Sequence, residues 1–297
     1  LVVWQQGRDY YEAETTDIFC LRLSGEGRPL DREPVPVCRA EGSQSRPRVA
    51  FSNGLFLVVW QDWRKGTDFD LYAARVARDG QVLDPGGFVM AGGPRVQAWP
   101  DVAPAARGFL VAWQEFEPGK GYVLRASLVG PDARPTGPTS VAIAAGGRAA
   151  RGGEVALARV EGGWFAFFRM AAAGRRGGLA RLLEGESGFT TAAVAGPLPH
   201  FSGVMGSAAS DGCRVLYAGT AIHGRGRAFR PCTGLLFGAA SAEPLENPNE
   251  PLRFGASGWR TERMFCLHVP MPGVDGRVAV AYSCLLYTSD AADEGLG

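Results

Sequence analysis

The chain has 297 residues, 46% hydrophobic and 21% charged, with a mean hydropathy near zero and a net charge of +1. This is the composition of a folded globular protein, not of a disordered or collagen-like one. No run of about 18 apolar residues exists to span a membrane as a helix, and 31 basic against 30 acidic residues leave no footprint for nucleic acid.

The chain opens inside an apolar run, with no initiator Met and no signal-peptide pattern before it. That run is the first copy of a repeat. LVVW stands at 1–4 and at 57–60, and LVAW at 110–113. Weaker copies end at Phe168, Tyr217 and Tyr282, so the aromatic-to-aromatic steps are 56, 53, 55, 49 and 65 residues. A period near 50 with Gly ahead of the strands is a propeller-like or solenoid-like signature.

The first three copies share more than the strand. Gln5, Gln61 and Gln114 follow the Trp; Arg22 aligns with Arg75, and Gly27 and Asp31 with Gly80 and Asp84. The best copy predicts four short strands, at 48–51, 56–61, 70–76 and 88–91. Asn53-Gly54 and Asp79-Gly80 are turn dipeptides, because positive φ is cheap there. Four strands per repeat make an all-β fold, a β-propeller of four-stranded antiparallel blades. About five to six blades are expected, truncated at both ends. The repeat frame places units near 1–54, 55–108, 109–162, 163–212 and 213–276, with a partial one at 277–283. The recurrent Trp and Phe are expected in the blade-to-blade core, since one blade cannot bury both its faces alone.

The pattern P-x-V-A-x-x-x-G-x-F-L-V-V-W-Q-D-x-R-x-G, continued by D-L-Y-A-A-R-V and D-G over 47–80, resembles the TolB-type propeller repeats of bacterial envelope and secreted proteins. The resemblance covers 1–130 well and 131–283 only by spacing and apolar character. It implies inner strands at Val49, Val102, Val155 and Phe265, and an extracytoplasmic location (periplasmic, cell-surface or secreted).

Neighbouring strands are expected to bridge Cys20 to Cys38, and a hairpin around 221–226 to bridge Cys213 to Cys232. Cys266 remains as a buried thiol. The alternative is that all five are small apolar core residues. Bridges would agree with an oxidising compartment.

Chemistry is sparse. His200, His223 and His268 stand in unrelated contexts, no nucleophile elbow or zinc spacing occurs, and no cofactor or metal is expected. Asp68 and Asp70, two apart in an extended segment, could help bind a cation, although no Ca-loop spacing supports this. Gln61, Asp62, Trp63 and Arg64, with Asp68 and Trp99, form a candidate ligand-contact set at the end of the LVVW strand. Trp there supplies area and the polar neighbours direction. The more ordinary reading is that Trp63 and Trp99 cap blade interfaces and the polar residues satisfy turn amides. The leading expectation is a non-catalytic binding or scaffolding module for a protein or glycan. The alternative is a propeller-fold glycoside hydrolase or lyase with acids at the central channel. Asp101 and Glu154, before Val102 and Val155, are its first suspects. Clustered inner-strand acids, one with a raised pKa, would favour the enzyme; a channel lined by Ala, Gly and Arg would favour binding.

At the far end, residues 284–294 read CLLYTSDAADE, which resembles the translation of a transposon-based sequencing-library adapter. On that reading 284–297 are not native, and the chain is a fragment of a longer protein. Only Lys65 and Lys120 stand among many arginines, which suits a GC-rich bacterial genome.

Overall fold

The computed structural model describes residues 1–7, 16–132, 140–145, 153–169, 177–186 and 188–198. It further describes 206–210, 214–219, 232–238, 252–254, 269–272 and 278–281. His200, His223, His268, Cys213, Cys266 and Phe265 lie outside the described residues, as does the side chain of Cys232.

The described residues form antiparallel meanders. The first sheet holds β1 (Val2–Gly7), β2 (Thr16–Leu21) and β3 (Val35–Cys38). The second holds β4 (Gln44–Ser52), β5 (Leu55–Asp62), β6 (Asp70–Ala77) and β7 (Phe88–Ala91). The third holds β8 (Gln97–Ala105), β9 (Gly108–Glu117), β10 (Gly121–Val129) and β11 (Val141–Ala145). The fourth holds β12 (Ala156–Val160), β13 (Gly163–Arg169), β14 (Gly177–Glu184) and β15 (Phe189–Leu198). The fifth holds β16 (Gly206–Ser210), β17 (Arg214–Gly219), β18 (Cys232–Gly238) and β19 (Leu252–Phe254). A pair, β20 (Val269–Pro272) and β21 (Val278–Ala281), follows.

In the four-stranded sheets each LVVW-type strand is the second, whereas the copy at 1–4 is the first of the three described strands of its sheet. The hydrogen-bonded unit therefore starts one strand ahead of the repeat frame counted from the aromatic, at 44 and 97 rather than 55 and 109. The first strands pack side by side in chain order, β4 on β8, β8 on β12, β12 on β16 and β16 on β20. This is an all-β β-propeller with its first strands innermost.

Sheet-to-sheet packing explains the apolar runs. Leu57 and Val59 face the third sheet, where they meet Val102, Phe109, Val111 and Trp113. Val58 and Trp60 face the first sheet, where they meet Ile18, Cys20, Val37 and Cys38. Both faces of β5 are buried, so it reads as a continuous run instead of an alternation. The same split recurs one blade on, where Leu110 and Ala112 meet Trp164, Ala166 and Phe168 of the fourth sheet. The terminal aromatics Trp60, Trp113 and Phe168 thus each pack on the preceding blade. Trp60 sits so close to Gly87 (φ 74°) that a Cβ there would meet its ring at 2.3 Å.

Two further repeat signatures are structural. Arg75 donates from its backbone N and from Nε to Asp84 Oδ2, at 2.9 and 2.8 Å, and from Nη2 to Oδ1 at 2.9 Å. Arg22 holds Asp31 in a similar way, its backbone N donating to Oδ2 and its Nε and Nη2 both to Oδ1. The forks staple the loops between β2 and β3 and between β6 and β7. The Gln after the aromatic is an inter-blade clasp. Gln5 accepts from Arg46 N at 2.8 Å, Gln61 from Trp99 N at 3.2 Å and Gln114 from Gly153 N at 3.0 Å.

The Cys20–Cys38 bridge expected from sequence does not form; both thiols are free and buried. The strands are neighbours, as expected, but a register shift between Ile18 and Phe19 puts Cys20 opposite Val35 and Cys38 opposite Ile18. Burial pushes each thiol up to about 11. Cys38 Sγ instead lies 3.3 Å from Arg64 Nη2 and 3.5 Å from Gly86 O.

Candidate functional site

The inner strands carry a shared irregularity that aims side chains at the centre. In β4 the pairing slips between Ser45 and Arg48, and in β8 between Ala98 and Asp101. Each slip holds one residue in the left-handed region, Arg46 at φ 54° and Trp99 at φ 53°. The Gln clasps described above bind the backbone N–H of those two residues, which secures a conformation that costs a non-Gly residue about 1–2 kcal/mol. Downstream of each slip the strand resumes regular pairing, with Arg48 opposite Val59 and Asp101 opposite Ala112.

Four side chains from three blades meet there. Arg46 Nη1 reaches Glu154 Oε1 at 2.7 Å, from the second sheet to the fourth. A contact that skips a blade is possible only where the inner ends converge on the axis. Arg48 lies between the two acids, with Nη2 3.6 Å from Glu154 Oε2 and Nε 3.8 Å from Asp101 Oδ1. Asp101 Oδ2 accepts from Leu157 N of the next blade at 2.6 Å. The carboxylates are well covered, with Asp101 15% and Glu154 9% exposed, whereas Arg46 is 39% and Arg48 27% exposed. Burial is the largest influence on Asp101 and pushes its carboxyl up to about 6; Glu154 adds to the rise, while Arg48 and the backbone N–H groups oppose it. A carboxyl poised there can give or take a proton near neutral pH.

Asp101 and Glu154 therefore come together, but not as positional equivalents. Asp101 pairs opposite the residue before Trp113, and Ala156 opposite the residue before Phe168. Counted by pairing, Ala156 matches Asp101, and Glu154 matches Trp99 and Arg46. The equal 53-residue spacing conceals a two-residue offset in the fourth blade. Sequence reasoning passed over Arg46 and Arg48. Their signal was available, since they stand 53 residues before Trp99 and Asp101.

The loop set Gln61, Asp62, Trp63, Arg64, Asp68 and Trp99 is spread over separate contacts. Gln61 bonds Ser45 Oγ at 3.1 Å as well as clasping Trp99 N. Asp62 is buried; it accepts from Trp60 Nε1 at 2.9 Å and from Arg64 Nη2 at 2.7 Å. The Arg64 guanidinium lies 3.8 Å from the Tyr72 ring centre. Trp63 packs edge-on against Phe69, and Trp99 edge-on against Tyr122. The Asp68 and Asp70 pair is met by Lys65 Nζ, 2.6 Å from Asp70 and 4.0 Å from Asp68, so an ammonium stands where a cation was considered. Among the described residues no three His, Cys, Asp or Glu side chains converge as metal ligands. Of the whole set only Trp99 belongs to the inner-strand layer with Arg46 and Glu154.

No family model matches the chain, and no curated protein matches it by sequence. Solved structures do match its fold. An α-L-arabinofuranosidase of Fusarium graminearum superposes with a TM-score of 0.51 at 10% identity, over 77% of this chain and 68% of that one. The Bacillus subtilis arabinanase gives 0.47 at 8% identity, over 72% and 81%. The catalytic domain of a Coprinopsis cinerea α-L-arabinofuranosidase gives 0.45 at 12% identity, over 88% and 79%. Identities this low speak for the fold alone. These proteins of like fold are nevertheless glycoside hydrolases, and the expectation of a non-catalytic binding or scaffolding module is corrected accordingly.

Proposed function

We propose that this chain is a propeller-fold glycoside hydrolase working from the centre of the ring, with Asp101 as general acid and Glu154 as the second carboxylate. The observation that carries the reading is the Asp101–Arg48–Glu154 constellation, in which the carboxyl of Asp101 is pushed up to about 6 while Glu154 is ion-paired with both arginines. Glycoside cleavage needs this division of labour. One carboxyl stays protonated to give its proton to the departing glycosidic oxygen; the other stays negative and faces the oxocarbenium-like centre. Asp101 meets the first need because water is largely excluded from it. Glu154 meets the second as the acid that is ion-paired with both guanidinium groups. Arg48, touching both, holds the pair in register as a positioning residue.

The substrates named for the proteins of like fold, arabinan and α-L-arabinofuranosides, are the first neutral candidates. A polymeric glycan would also suit the extracytoplasmic location that the TolB-type resemblance implies. The test is release of reducing sugar from a panel of neutral and acidic plant and bacterial glycans at pH 4–7, with D101N and E154Q beside the wild type. Cleavage lowered about 10²-fold or more in D101N supports the reading. Failure to cleave any glycan of the panel, or full activity in D101N, overturns it.

A further inference from the structure

The centre of the ring sets two guanidinium groups against two carboxyls. Arg46 and Arg48 face Glu154 and Asp101, and Asp101 ionises only above the usual carboxylate range. Arg46 is committed to Glu154 through one N–H at 2.7 Å. Arg48 is committed far less. Both its ion-pair distances, 3.6 and 3.8 Å, exceed hydrogen-bond length, and its hydrogen bond among the described residues is to its neighbour Pro47 O at 3.4 Å. A guanidinium has five N–H donors in a planar fork matched to a carboxylate. The Arg48 side chain is 27% exposed, so N–H groups of its fork that make no protein bond remain open to a ligand.

We propose that this site takes an acidic glycan, a chain of sugars bearing carboxylates, with Arg48 as the residue that receives the carboxylate and Arg46 as its electrostatic support. The inference rests on the glycoside-hydrolase reading for its choice of sugar, but it concerns binding and can be tested without turnover. A neutral furanoside would leave the Arg48 fork unpaired, whereas a uronate would fill it with two parallel charge-assisted bonds. Trp99, held edge-on to Tyr122 in the matching inner-strand position, offers a ring to the sugar alongside.

The experiment is calorimetric titration of the full chain with oligogalacturonate and with the same oligomers methyl-esterified, which removes charge and keeps the sugar. The titrations are run at pH 7 in low and in physiological salt. The free acid is expected to bind about tenfold or more tightly than the ester, and the preference to fall to near unity in R48Q. R48K, which keeps the charge but not the fork, should retain only part of it. Circular dichroism melts establish that both variants are folded. Equal binding of acid and ester overturns the inference, and so does a preference that survives R48Q, which would mark general attraction of polyanions. An acid preference lost in R48Q with no cleavage of any glycan leaves the binding inference standing and removes the hydrolase reading. Cleavage of neutral glycans with no acid preference does the reverse.

Discussion

Replacing Asp101 by asparagine separates a catalytic carboxyl from a structural one, because the two roles give opposite signs in stability at high pH. The ordinary value for the group is 3.8, and burial lifts it to about 6 in the folded chain. A folded-state pKa above the unfolded one means that the folded chain holds this proton more tightly. The stability it contributes is fully present below pH 3.8 and is lost as the pH rises through about 6. At 1.36 kcal/mol per tenfold change in acidity, the ionised folded form at pH 8 carries a penalty of about 3 kcal/mol relative to the protonated one. Asparagine is isosteric, keeps an oxygen for the Leu157 N–H, and cannot ionise. D101N should therefore match the wild type at pH 4 and be more stable at pH 8 by up to about 3 kcal/mol, a figure that already nets the attraction to Arg48 against burial. Urea denaturation of both proteins at the two pH values measures this, and glycan cleavage across the same range should fall in the wild type as the pH passes about 6. Should D101N prove less stable than the wild type at pH 8, Asp101 would be a carboxylate that the fold needs charged. The acid role assigned to it would then fail.

Three other outcomes test the architecture. Gly108→Ala should destabilise by roughly 3 kcal/mol or more, because at φ 118° its Cβ would meet Val129 O at 2.1 Å, whereas Gly54→Ala, at φ 84° with open space around it, should cost only about 1–2 kcal/mol; thermal melts of both variants check the contrast. Gln61→Ala removes the bonds to Trp99 N and Ser45 Oγ and should cost about 2–3 kcal/mol in denaturant unfolding. Asp84→Ala breaks the fork with Arg75 and should cost about 1–2 kcal/mol at pH 7. Hydrogen bonding to Arg75 lowers the Asp84 pKa below its usual 3.8, so this contribution is present above 3.8 and disappears as the pH falls through the lowered value; unfolding at pH 7 and at pH 2.5 reads the sign.

The blade was legible because its physics is one-dimensional. A strand buried on both faces must be apolar throughout, so LVVW, LVAW and WFAFF stand out, and stacking of identical units repeats them near every 53 residues. Turns that need positive φ call for Gly or Asn at set offsets, as at Asn53-Gly54. These local demands determined the fold class and the strands of the best copy to within a few residues. The Gln after each aromatic was also visible as a pattern, although its work, clasping the next blade's N–H, was not.

What the sequence could not hold is the result of folding the repeats around an axis. Arg46 and Glu154 are 108 residues apart and meet only because inner strands converge. The spacing of Asp101 and Glu154 suggested equivalence, but the pairing of β12 with β13 is offset by two residues and places Glu154 level with Trp99. The same kind of slip, at Ile18 and Phe19, parted Cys20 from Cys38. A change of one or two residues in strand register alters no composition and no period, yet it decides which side chains face each other. The blades were therefore written in the sequence, while the charge cluster at their centre was decided by register and by the side-by-side packing of the inner strands.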